Sequence, residues 1–574
     1  MAQEQIVKLR PIQRFWKLLQ PDTKILGNLY LFALLNSLVA LSLPLGLQAI
    51  INLIASGRVT TSFYVLIIIV VAGYAINGYL QILQLSIAEL LQRKVFTKSA
   101  FEFAFRTPRI QLKSLQQYYA PELMNRFFDT LSIQKGLPKL LIDFASSSLQ
   151  IFIGLVLLCF YHPFFILFGL LAILLVGFMV WILGPIGLRT SLIESKHKYE
   201  VAHWLEEVAR NLESFKMAGA TALPMKKANE FVSRYLTARS KHFSNLLLHY
   251  YAILAFKVLI AAAFLLLGGM LVINQQLNIG QFVAAEIVII IILASVEKLI
   301  SSMDSIYATL TAIEKIGNVL DLPMDKEGYI QHIEDHEKGI AIKIENVSLK
   351  WEGINEPILQ NIHLDINPGD HVLITGLSGS GKSILLQLIA GMYDNYSGTI
   401  RINGTPLKSL NLESMRAHIG DSMASEAIFH GSLLENITMG REVPIHDVMN
   451  AIDLVELKPV VQNFEKGVHT ELAPEGKGLS KSIITKIVLA RCIVHKPKLL
   501  LLDETVHHVD SVRQVEFFLE LFGQDISRTV IAISNHTRYA EFFDKIVYLE
   551  NGRILEQGSF EEVQNALWFK KLNF

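Results

Sequence analysis

The sequence predicts a multidomain chain: a six-helix transmembrane α-bundle followed by an α/β domain built around a phosphate loop. Three observations carry this reading. The first half is apolar in blocks long enough to cross a bilayer, and from about residue 341 short β-rich runs alternate with helical ones. The third is the run Gly376-Leu377-Ser378-Gly379-Ser380-Gly381-Lys382-Ser383, which fits G-x-x-x-x-G-K-[ST]. Charged residues make up 18% of the 574, below the roughly 25% of a typical soluble domain. Lys+Arg and Asp+Glu are equal at 52 each, so the charge balance points to no nucleic-acid partner.

The apolar blocks lie at about 26–54, 63–87, 140–161, 163–188, 247–273 and 279–303. Each can cross a hydrocarbon layer of ~30 Å, and several exceed the ~20 residues needed, so they should tilt or extend beyond it. The segment 1–25 is basic but lacks a short apolar core with a small-residue cleavage site, so it reads as no cleavable signal. It is also too short to hold a peptidase domain. Short links with almost no charge join spans one to two, three to four and five to six. The other two connections are long and basic, one carrying Arg93, Lys94, Lys98 and Arg106, the other Arg189, Lys196, Arg210 and Arg234. The positive-inside rule therefore puts both connections and both termini in the cytoplasm. Lys257 in span five and Glu286 in span six are candidates either for a central cavity or for a local ion pair. Only two cysteines occur, Cys159 in an apolar run and Cys492 far from it, so no disulfide is expected.

Runs at 341–344, 371–375, 499–502, 530–533 and 545–549 read as a mostly parallel sheet with helices on its faces. His371 to Thr375 forms the strand before the phosphate loop and Ile384 to Ala390 the helix after it. Glycines let successive N–H groups face phosphate oxygens, and the helix N-terminus adds positive charge. In this P-loop α/β ATP-binding domain Lys382 would reach the β- and γ-phosphates, and Ser383 would hold Mg²⁺. Four leucines, Leu499 to Leu502, lead to Asp503 and Glu504. A buried strand ending in an acid places a carboxylate beside Mg²⁺, so Asp503 is a candidate metal ligand. Glu504 is the candidate catalytic base that orients the attacking water. Domain boundaries are expected at 1–25 for the N-terminal segment, 26–305 for the spans, 306–340 for a charged helical linker and 341–574 for the nucleotide domain.

Taken together these residues resemble the ABC transporter family in its exporter form, and the likeness covers almost the whole chain. The membrane half is most similar to bacterial exporters of the type I secretion and of the lipid and drug export groups. The resemblance implies that Trp351 stacks on adenine and that the two membrane stretches 122–129 and 211–216 couple to nucleotide domains. It also makes Ser480, Lys481 and Ser482 the signature segment that completes a partner's site. Because the family uses twelve spans, it implies a dimer of half-transporters in the bacterial cytoplasmic membrane. A periplasmic adaptor and an outer-membrane channel are further partners suggested by the same likeness.

The chain departs from the family at several points. Where the family has Leu-Ser-Gly-Gly-Gln, this chain has Leu479-Ser480-Lys481-Ser482-Ile483. Both glycines are lost, which puts close backbone approach in doubt; either the site is simply weakened or Lys481 supplies a compensating cation for phosphate. The family's glutamine aligns with Ala424, and its switch histidine with Asn535, one residue before His536. The D-loop reads His507-His508-Val509-Asp510. ATP-driven export by a homodimer or heterodimer is the expected function. The alternative is a regulatory half that binds ATP, hydrolyses little and pairs with a consensus half-transporter.

Overall fold

The computed structural model describes residues 10–55, 61–115, 120–325, 328–330, 339–351, 356–423, 428–503, 518, 521–522 and 528–572. Two compact units result, Met1–Ile110 with Leu115–Pro323, and Gln111–Ser114 with Met324–Phe574.

The first unit is helical. A short helix α1 (Pro11–Leu19) begins on proline, whose missing N–H costs nothing in the first turn. It precedes α2 (Thr23–Ala55), α3 (Thr61–Arg106), α4 (Asp129–Pro138), α5 (Phe144–Tyr161), α6 (Phe164–Arg210), α7 (Leu223–Ile273), α8 (Ile279–Ser301) and α9 (Met303–Leu320). Six helical stretches are long and apolar enough to cross a membrane. Helices α3, α6 and α7, with 46, 47 and 51 residues, reach about 70–77 Å, more than twice the ~30 Å hydrocarbon layer. The basic connections are therefore largely continuations of these helices. Ion pairs four residues apart stabilise them, Arg93 to Glu89 at 2.9 Å, Arg106 to Glu102 at 2.5 Å and Arg234 to Glu230 at 2.6 Å.

The interior of this unit is close-packed, with Leu158, Ala284, Ala285 and Val288 fully buried, while Ile68, Phe160 and Trp181 face outward where lipid would meet them. A polar seam ties α6, α7 and α9. Thr190 Oγ1 lies 2.8 Å from His242 Nδ1, His242 Nε2 lies 3.3 Å from Asp304, and His249 Nε2 lies 3.1 Å from the Tyr307 hydroxyl. Lys257 is engaged in an ion pair, 2.8 Å from Glu297 of α8, a partner the sequence reading did not name, and Glu286 is half-buried. The helical linker expected from 306 begins as α9, whose Ile306, Tyr307, Ile313 and Ile316 are buried in this unit. Periodic apolar positions gave α9 a core face, so it packs.

The second unit contains twelve strands among the described residues: β1 (Ile342–Leu349), β2 (Leu359–Ile366), β3 (His371–Thr375), β4 (Tyr396–Ile402), β5 (Thr405–Pro406), β6 (Ile419–Asp421), β7 (Gly431–Ser432), β8 (Glu471–Leu472), β9 (Leu499–Asp503), β10 (Thr529–Ile533), β11 (Lys545–Glu550) and β12 (Arg553–Gly558). Its main sheet has the order β12-β11-β3-β10-β9-β6, parallel except for the β12 edge. A second sheet, β2-β1-β4-β5, is antiparallel. The first predicted strand falls in this second sheet, which corrects its grouping with the parallel ones. The reason lies in its pattern: β1 alternates buried and exposed positions, whereas β9 and β10 are buried almost throughout, as covered parallel strands are. The helices that bear on the site are α10 (Lys382–Ile389), α11 (Leu433–Thr438) and α12 (Lys481–Ile493).

Candidate functional site

Strand β3 ends at Thr375 and α10 starts at Lys382, so the phosphate loop stands at the carboxyl edge of the parallel sheet, where α/β folds place ligands. Gly376 takes φ +148°, and a Cβ there would overlap the carbonyl oxygen of Leu549. Gly381 caps α10 in the left-handed region at φ 101°. Leu385 and Leu386 of α10 are fully buried and fix the helix against the sheet. The Lys382 side chain is only 5% exposed, and its Nζ donates to the carbonyls of Gly376 at 2.8 Å and Leu377 at 3.0 Å. That arrangement holds the ammonium at the concave side of its own loop. Ser380 Oγ is buried there with no hydrogen-bond partner among the described residues.

Neighbouring strands bring further residues to this edge. Register pairs Ile533 of β10 with both Ile374 of β3 and Asp503 of β9, so Asp503 sits level with the end of β3, two strands away. At ~4.8 Å per strand that separation is about 10 Å. The Asp503 N–H donates to Ser422 Oγ at 2.9 Å, and Ser422 is itself 3% exposed. Asn535 follows β10, and its Oδ1 accepts from Gly376 N–H at 3.3 Å and from the Thr375 hydroxyl at 3.4 Å. His536 is exposed, with its backbone N–H on Ser534 Oγ. The site therefore gathers the 376–383 loop, Asn535 and Asp503. Ser383 and Asp503 supply a hydroxyl and a carboxylate, hard oxygen donors that suit Mg²⁺.

Other candidates stand elsewhere. Trp351 is half-buried beyond the end of β1, its indole N–H buried with no hydrogen-bond partner among the described residues. Ser480 caps α12, accepting from the Ile483 N–H at 3.3 Å, and Lys481 and Ser482 are exposed in the first turn. Glu504, Ala424 and the segment 507–510 lie outside the described residues. Two contributors were not foreseen. Ser422 anchors the end of β9, and Gly552 braces the loop, donating to the Ser380 carbonyl at 3.1 Å while its own carbonyl accepts from Gln360 N–H at 2.7 Å. A contact between Gly552 and residue 380 leaves no local trace in sequence.

The helical part of this unit is braced by buried groups kept neutral. Cys492 is fully buried, and its thiol donates to the Asp421 carbonyl at 2.6 Å. Burial pushes that thiol well above its ordinary range, so it is an inert packing group. His495 accepts at Nδ1 from Arg441 at 2.9 Å and donates from Nε2 to the Ile419 carbonyl at 3.2 Å. Burial, helped by the Arg441 charge, brings it down to about 4. Arg491 donates to the Asn436 carbonyl at 2.8 Å and so joins α12 to α11.

The family described as ABC transporter transmembrane region matches residues 26–296, and the family described as ABC transporter matches residues 359–507. The chain belongs to the ABC transporter family. It joins a membrane domain and an ATP-binding domain in one polypeptide. The mesentericin-Y105 transport/processing ATP-binding protein MesD of Leuconostoc mesenteroides is 21% identical over 567 residues, 97% of this chain and 77% of that one. The ATP-dependent lipid A-core flippase of Ralstonia nicotianae is 27% identical over 375 residues, 63% of this chain and 62% of its own. The lactococcin transport/processing ATP-binding protein LcnC-like of Lactococcus lactis is 25% identical over 311 residues, and there the match spans 52% of this chain and 42% of the relative. This ABC transporter chain thus matches about half the length of several relatives. In fold it is similar to a bacterial Atm1-family ABC exporter with ATP bound, at a TM-score of 0.86 and 18% identity, covering 96% of this chain and 99% of that one.

Proposed function

We propose that this chain is a half-transporter that pairs with a second half and uses ATP to export a substrate across a bacterial cytoplasmic membrane. The observation that carries the reading is the phosphate loop of residues 376–383, with Lys382 held on its concave side, in the same chain as six membrane-crossing helices. Lys382 and the loop N–H groups bind the phosphates, and Trp351 stacks on the base. Ser383 and Asp503 would hold Mg²⁺, which supplies neutralising charge for the phosphates when bound. Glu504 takes the proton of the attacking water. Ser480, Lys481 and Ser482 face the site of the opposite half, and the segments 122–129 and 211–216 pass domain closure to the spans. The basic extensions of α3, α6 and α7 favour a cytoplasmic location for that end of the bundle and for both termini. An adaptor and an outer-membrane channel complete the path in the secretion form of this reading.

The test is ATP hydrolysis by the purified full chain in proteoliposomes. Vanadate-sensitive turnover should appear and fall at least ~100-fold in Glu504→Gln. A rate unchanged by that substitution rejects the reading. Lys481 and Ser482 at the signature and Asn535 beside Gly376 favour a second arrangement, in which this half binds ATP tightly and a consensus partner performs the turnover. In that arrangement hydrolysis is absent from the chain alone and is restored by adding the partner half.

A further inference from the structure

The first unit contains a cavity of about 320 Å³ bounded by α1, α3, α4 and α9. Four cations, Arg14, Lys17, Lys98 and Arg106, line it against two carboxylates, Glu102 and Asp321, which leaves a surplus of positive charge. The two arginines are committed. Arg14 is 7% exposed and holds Asp321 at 2.6 Å and Glu314 at 3.4 Å, while Arg106 holds Glu102 at 2.5 Å and donates to the Leu320 carbonyl at 2.7 Å. Lys17 and Lys98 are exposed and have no ion-pair partner among the described residues. Ser99, in the same wall, is 6% exposed, and its hydroxyl has no hydrogen-bond partner among the described residues. Beneath these groups the wall is apolar, with Ile133 and Ile316.

The position of the cavity decides what would fill it. Helix α1 precedes the first span directly, and its outward face carries Ile12 and Trp16, 55% and 52% exposed. A basic amphipathic helix with an exposed tryptophan is the kind that lies in a membrane interface. Lys94 of α3 holds Asp22 at 2.5 Å, which pins the turn after α1 against α3 at the level where the first span begins. A cavity that combines two uncommitted ammonium groups, a hydroxyl with no partner among the described residues and an apolar wall at an interface matches a phosphodiester on a glycerol backbone. We propose that it is a binding site for the headgroup of an anionic phospholipid of the leaflet at that end of the first span. Lys17 and Lys98 would take the phosphate oxygens, Ser99 would donate to one of them, and Ile133 and Ile316 would pack against the glycerol carbons.

The full chain in phosphatidylcholine nanodiscs, doped with acyl-labelled phosphatidylglycerol, tests this by native mass spectrometry of the lipids retained. At roughly fivefold per lysine, from ~1 kcal/mol each, the paired substitution K17Q/K98Q should cut the preference for phosphatidylglycerol by about 25-fold, and Ser99→Ala should weaken it further. K227Q, elsewhere on α7, should leave it unchanged, and melting temperature verifies that each variant is folded. Equal retention by the wild type and K17Q/K98Q overturns the proposal. Displacement of the labelled lipid by inorganic phosphate alone also overturns it, because the occupant would then be a free anion.

Discussion

Lys382 is the residue on which the nucleotide site turns, and its surroundings explain how it is kept ready. Two carbonyls of its own loop hold the ammonium, both neutral acceptors, and a phosphate oxygen outcompetes them because its negative charge adds ion-pair attraction to the hydrogen bond. Asn535 shows what single-residue reading can and cannot reach. Alignment with the family pattern puts it at the switch position, and the structure sets its side chain on Gly376 and Thr375 while His536 is exposed. The contacts of Ser422 and Gly552 are not legible in the sequence because their partners, Asp503 and Ser380, lie far away along it, and no local pattern marks such a contact. His495 carries a prediction at this scale. Its folded value of about 4 lies below the ordinary 6.5, so between those pH values the unfolded chain binds more protons than the folded one. The contribution of neutral His495 to stability is complete above about pH 6.5 and is lost as pH falls toward 4. The apparent melting temperature of the full chain should decline over that window, and His495→Gln should flatten part of the decline.

Among the elements, those with a strong period were legible and those defined by partners were not. The six apolar stretches and the strands of the parallel sheet follow from runs of hydrophobic residues, which carry their own length and burial. The helical nature of the basic connections was missed, although their acid–base spacing of four residues, as in Glu89 with Arg93 and Glu230 with Arg234, is a helical signature. Charge had been read there for topology alone. The antiparallel setting of β1 depends on β2 and β4, which its own sequence does not name. A contrast within the loop tests how geometry holds it. Gly376→Ala meets the Leu549 carbonyl in addition to an unfavourable φ, whereas at Gly379 a Cβ would meet nothing within 4 Å. Gly379→Ala should cost about 1–2 kcal/mol from its backbone alone. Gly376→Ala should cost more and lower the melting temperature further, and equal shifts for the two would contradict the described packing.

At the scale of the whole molecule, the order of a membrane bundle before a nucleotide domain was fully legible. Composition changes sharply near residue 341, and each half has a distinct physical signature. Less legible was the boundary, because α9 belongs to the packed first unit and the charge that suggests a linker is concentrated after it, from Asp321 onward. The fused architecture makes sense only if nucleotide binding in one part does work on the other, and that work begins with the grip on phosphate. The most direct test is therefore the ATP dissociation constant of the purified full chain, measured with and without Lys382→Ala. Loss of a charged donor to phosphate is worth about 1.5–3 kcal/mol, so the substitution should weaken ATP binding by roughly 10- to 150-fold while the protein stays folded. An affinity unchanged within error would contradict the account.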